Sequence, residues 1–105
     1  MRENIGSMTT DEVILRLRSH EAELKAAGIV RLAVFGSVAR GDSRVDSDVD
    51  LLADFDMKRR HTLLTVGRLE LRLGELLGVK VDLSSPDWLK EPVKERALRE
   101  AVFAF

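Results

Sequence analysis

Apolar positions along the chain recur at two different periods, and the switches between them mark the elements. Thr9 and Glu12 can form a capping box, and Val13, Ile14, Leu17 and Leu24 follow at helical spacing until Gly28, predicting a first helix. Ile29 to Phe35 is a largely apolar run rich in branched residues, long enough for a buried strand, and it stops at Gly36-Ser37. Val49, Leu51 and Ala53 then alternate with Asp48, Asp50 and Leu52 at the strand period of two. Leu63, Val66, Leu69, Leu73, Leu76 and Leu77 share one side of a second long helix, closed by Gly78. Val79, Val81 and Leu83 oppose Asp82 on a third strand. Beyond the turn Ser84-Ser85-Pro86-Asp87, Pro92 suits the first turn of a last helix carrying Val93, Ala97 and Leu98. Ala101 to Phe105 alternate enough for a short final strand, or for apolar surface that awaits a partner. The order predicts an α/β (α+β) domain: a small mixed β-sheet with helices packed against it.

Composition bounds this picture. A chain of 105 residues has room for one domain, expected over 9–105, with one modest core. Residues 1–8 show no pattern and are expected to be a disordered N-terminus, Gly6-Ser7-Met8 reading as a cloning scar or an alternative start. Hydrophobic content of 45% beside 33% charged residues marks a globular chain without a membrane span or an apolar signal core, so the cytoplasm is the expected location. With no cysteine there is neither a disulfide framework nor a thiolate metal site. A net charge of −1, with both signs spread along the chain, gives no general footprint for long nucleic acid. Lys58-Arg59-Arg60-His61 reads as a solvated turn, His20 and His61 as surface residues, and Trp88 as a core anchor for the last helix.

Chemistry concentrates between residues 36 and 52. The alternation around Asp48 and Asp50 turns one strand face inward and leaves two carboxylates on the other, their α-carbons about 6–7 Å apart from two steps of strand rise. Unpaired carboxylates so close repel unless a cation lies between them. Oxygen-only ligands favour Mg²⁺ or Mn²⁺ over zinc. Asp46, Asp48 and Asp50 also fit the opening of a calcium loop, but Leu51 stands where that loop needs a Gly and Met57 where it needs a bidentate Glu. A solvated acidic turn is the plainer alternative.

The glycine segment adds an anion site. A strand ending at Gly36-Ser37, followed by Val38-Ala39-Arg40 that can start a helical turn, sends backbone N–H groups outward. Gly36 lets the chain approach a phosphate closely, and Ser37 adds a hydroxyl donor. Taken alone it is a turn, and Arg40 and Arg44 taken alone are solvated loop charges or phosphate ligands.

Together, Gly36-Ser37, Arg40-Gly41 and Ser47-Asp48-Val49-Asp50-Leu51 resemble the signature of the DNA polymerase beta-like nucleotidyltransferase superfamily, and Asp82 resembles its third acid. The chain looks like a minimal nucleotidyltransferase of the MNT type, because no second substrate-binding domain is expected in it. The resemblance implies that Asp48, Asp50 and Asp82 hold two Mg²⁺ ions, with Asp82 also the general base. It implies that Gly36, Ser37, Arg40 and Ser47 bind the nucleotide. It further implies transfer of AMP from ATP to a tyrosine hydroxyl of a HEPN RNase toxin, a hetero-oligomeric partner that the chain silences as an antitoxin. The alternatives are a binding module that inhibits its partner sterically, and a stand-alone transferase for a small hydroxyl compound. Val102, Phe103, Phe105 and Trp88 are the expected partner contacts, with core packing as their other reading.

Overall fold

Each helix begins and ends where local chemistry allows it. A computed structural model describes residues 9–41 and 48–105, so the expectations for residues 1–8, Arg44, Asp46 and Ser47 lie outside the described residues. Helix α1 (Thr10–Ser19) starts with the expected capping box, the Thr9 side chain accepting from the Glu12 N–H while Glu12 accepts from the Thr9 N–H at 2.8 Å. The first helix does not run on to Gly28. Ser19 Oγ donates back to Leu15 O at 2.9 Å, and His20 leaves the helical conformation at φ −115°, so α2 (Glu21–Ala26) is a separate turn that carries Leu24 into the core.

Strand β1 (Ile29–Phe35) leads directly into α3 (Gly36–Arg40), and β2 (Val49–Phe55) returns antiparallel to β1. Helix α4 (Leu63–Leu77) is capped by a Thr62–Thr65 box at its start and by Gly78, at φ 74°, at its end. It carries the chain across to β3 (Val81–Ser84), which therefore pairs parallel to β2. A 3-10 turn (Pro86–Trp88), helix α5 (Val93–Glu100) and strand β4 (Val102–Phe103) complete the fold. The sheet order is β3-β2-β1-β4. This is the small mixed sheet that the sequence predicts.

Strand alternation splits the residues between two faces. Leu32, Val34, Leu51, Ala53, Val81 and Leu83 pack against Val13, Leu17, Leu24, Leu69, Leu73 and Leu77 of α1, α2 and α4, forming the main core. The opposite face carries a smaller cluster, Ala33, Leu52 and Ala97, under α5. Expected core positions at the helix ends stay outside it: Leu63, the first residue of α4, is exposed, as are Val93 and Leu98 of α5, leaving Ala97 as the buried contact. Trp88 is not a core residue either; it lies half exposed with its ring stacked on Phe55 at 5.6 Å. His61, expected at the surface, is half-buried with its ring 4.9 Å from that of Phe55 and Nε2 3.1 Å from Asp56 O. Arg59 ties the basic loop to the end of α2 by donating to Ala26 O at 2.6 Å. Among the described residues no helix is long and apolar enough to cross a membrane.

Candidate active site

The acids meet because of strand register. The Val49 N–H donates to Lys80 O at 3.0 Å, and the parallel ladder that starts there places Asp50 directly beside Asp82. Neighbouring strands run about 4.8 Å apart, so the two carboxylates stand side by side on the same sheet face. Asp48, immediately before β2, lies two residues back along the chain. On the other side of β2, the antiparallel ladder sets Asp50 opposite Phe35, the last residue of β1.

That second pairing brings the glycine turn under the acids. Gly36 takes φ +75°, the left-handed region where a Cβ is strained, and a Cβ built there would overlap Asp50 Oδ2. Only a glycine lets the backbone turn from strand into α3 beside that carboxylate. Helix α3 is short, but the Thr10 hydroxyl bonds to Val38 O and Gly41 closes it in the left-handed conformation at φ 81°.

A cleft of about 280 Å³ opens at this point, lined by Gly36, Ser37, Arg40 and Asp50 on one side and by Val93, Arg96 and Glu100 of α5 on the other. Sequence reasoning placed the first four at a site and missed the last three. Arg40 is not a simply solvated charge: its Nη1 lies 3.1 Å from Glu100 Oε1. Residues 93, 96, 97 and 100 follow helical spacing, so Ala97, seated on Leu52 and Ala33, turns Arg96 and Glu100 toward the glycine turn. The small Ala97, the one buried residue of α5, was the available signal.

Partial burial pushes the Asp50 carboxyl above its ordinary pKa, and the negative charges of Asp82 and Asp48 push it further, against the pull of Arg40. Asp50 therefore senses both of the other acids. Among the described residues no three His, Cys, Asp or Glu side chains are gathered closely enough to hold a metal ion together. The pair Asp50 and Asp82 nonetheless suits a hard divalent cation: it is all oxygen, lies on one sheet face, and carries repulsion that such an ion relieves.

Comparison with known proteins places the chain in a family. Residues 17–104 match the family model described as a nucleotidyltransferase domain. The protein adenylyltransferase MntA of Thermococcus cleftensis is 39% identical over 100 residues, covering 94% of this chain and 99% of its own length. A solved structure provisionally described as a minimal nucleotidyltransferase is 44% identical, with a TM-score of 0.75, covering 90% of this chain and 95% of that one. A toxin–antitoxin structure with AMP-PNP shares the fold at 16% identity and a TM-score of 0.66, covering 93% of this chain and 73% of that one. With residues 17–104 matched by the family model and nearly its whole length matched by its relatives, the chain belongs to the nucleotidyltransferase domain family, among the minimal nucleotidyltransferases.

Proposed function

We propose that this chain is an Mg²⁺-dependent protein adenylyltransferase that moves AMP from ATP to a tyrosine hydroxyl of a HEPN-type RNase toxin, and so acts as its antitoxin. One observation carries the reading: Asp50 stands in register with Asp82 and directly over the backbone of Gly36, which supports acid and phosphate-binding roles at one point. A relative 39% identical is named a protein adenylyltransferase, and structures of the same fold are MntA–HepT toxin–antitoxin complexes, which supports a protein acceptor and a toxin partner. The chain has no cysteine, and we keep the cytoplasm as its compartment.

In this reading Asp48, Asp50 and Asp82 would hold the Mg²⁺ ions, with Mn²⁺ an acceptable substitute. Bound there, they would neutralise the triphosphate and lower the pKa of the attacking hydroxyl. The Gly36 and Ser37 N–H groups and the Ser37 hydroxyl cradle the β- and γ-phosphates, Arg40 assists, and Ser47 belongs to the same nucleotide site. The tyrosine oxygen bonds to the α-phosphorus as the bond to the bridging oxygen breaks, releasing pyrophosphate; Asp82, exposed at the open edge strand, takes the hydroxyl proton. Positioning and charge neutralisation do most of the work in such transfers.

Thermal unfolding tests the site. ATP with Mg²⁺ should raise the midpoint of the native chain, because a ligand that binds only the folded state shifts the equilibrium. Asp48→Asn with Asp50→Asn should remove that shift while leaving the fold intact. An unchanged shift in the double variant would sink the assignment.

A further inference from the structure

Resting on the nucleotide site proposed above, we infer that α5 supplies a second phosphate-binding cation: Arg96 takes the charge of the β- and γ-phosphates together with Arg40, which gives up Glu100 to do so. The cleft places Arg96 across from Gly36, Ser37 and Asp50. Among the described residues the Arg96 guanidinium makes no ion pair and no side-chain hydrogen bond. A neighbouring carboxylate is within helical reach, since Glu100 follows Arg96 by four residues. Glu100 instead bonds to Arg40 Nη1 at 3.1 Å, across from α5 to α3. Arg96 therefore faces the glycine turn with its donors available.

With a divalent cation on the acids, the charge balance of the cleft favours an anion. Arg40 and Arg96 bring two positive charges to the cleft, against the carboxylates of Glu100 and Asp50, and the Mg²⁺ proposed above would offset Asp50. A triphosphate entering over Gly36 meets Arg96, whose donors are available, and Arg40, which is paired with Glu100. Surface pairs of this kind are worth little, so a phosphate oxygen competes with Glu100 at small cost. Guanidinium groups suit the exchange, because their planar fork matches phosphate as well as carboxylate. Glu100 then serves as a placeholder that keeps Arg40 oriented toward the cleft.

Titration calorimetry of the whole chain with ATP and with AMP, each with Mg²⁺, tests this. Arg96→Ala should weaken ATP about tenfold, as expected for one lost charge-assisted contact. AMP, which lacks the β- and γ-phosphates, should change little, and Arg96→Lys should recover part of the loss. Glu100→Gln should tighten ATP severalfold by removing a carboxylate that competes with phosphate for Arg40, while its amide oxygen still orients the guanidinium. Thermal melting without ligand should be alike for the native chain and Arg96→Ala, which separates a binding role from a structural one. If the native chain binds ATP and Arg96→Ala binds it equally well, or loses ATP and AMP in equal measure, α5 has no such role and the nucleotide site stands without it. A native chain that binds no ATP overturns both readings.

Discussion

The backbone of Gly36 lies against the carboxylate of Asp50, so close that a methyl group at position 36 would overlap Oδ2 and reach Cγ at 3.2 Å. Gly41, five residues on, shares the left-handed conformation, but a Cβ there meets nothing within 4 Å. The pair separates backbone strain from crowding. Gly41→Ala should cost only the conformational penalty, about 1–2 kcal/mol. Gly36→Ala should cost more, and it should also displace Asp50 from its place above the turn. Urea unfolding of both variants checks this, and equal losses would mean that Asp50 is not held over Gly36.

Asp50 also sets a pH dependence. Its folded-state pKa is raised, so the native chain binds more protons than the unfolded one from the ordinary value near 3.8 upward to the folded value. The stabilising effect of that proton is complete below the ordinary value and is lost as pH rises through the folded value. Without divalent ions, Asp50→Asn should therefore be more stable than the native chain at neutral pH, and the advantage should vanish in acid. Adding Mg²⁺ at neutral pH should stabilise the native chain and not the variant. Melting curves across pH, with and without Mg²⁺, read both effects.

Asp82 depends on an edge strand that borrows a partner. Glu70 of α4 accepts a hydrogen bond from the Leu83 N–H at 2.8 Å, filling the free side of β3 one residue from Asp82. Glu70→Leu should cost about 1–3 kcal/mol by leaving that donor unpaired, and Glu70→Gln should cost less because an acceptor oxygen remains. Hydrogen exchange at Leu83 should speed up in the Leu variant and stay slow in the Gln variant.

Partner docking has an exposed patch to use. Val102 and Phe103 on the edge strand β4 stay exposed, the Phe103 ring lying 4.3 Å from the Arg31 guanidinium, while Phe105 packs against the main core. Phe103→Glu should lose about 1 kcal/mol of stability at most, since the cation–π contact is at the surface. On the proposed function it should also reduce copurification of the toxin partner. Undiminished copurification would move the interface elsewhere.

Local pattern made the three longer strands and the flanking caps legible. Period-two alternation around Asp48 and Asp50, the box at Thr9 and Glu12 and the glycine at 78 act over a few residues, and the structure has each of them. The juxtaposition of Asp82 with Asp50 came from family resemblance, since register across 32 residues leaves no local trace. Helix α5 shows the same limit. Its role in the cleft rests on Arg40 meeting Glu100, a contact 60 residues apart in sequence. The break at His20 was hidden because the apolar spacing continues through it to Leu24, and only the Ser19 back-bond marks it. Trp88 reads as a core anchor by size, yet burial depends on what lies above it, and one face of its ring is covered by Phe55 alone among aromatic rings.

Mass spectrometry of the partner after co-expression tests the central claim most directly. With the native chain, the partner's tyrosine should carry AMP, and with Asp82→Ala the two proteins should still copurify while the tyrosine stays unmodified. A partner that is inhibited yet unmodified by the native chain, or one that is modified equally by Asp82→Ala, would contradict the account.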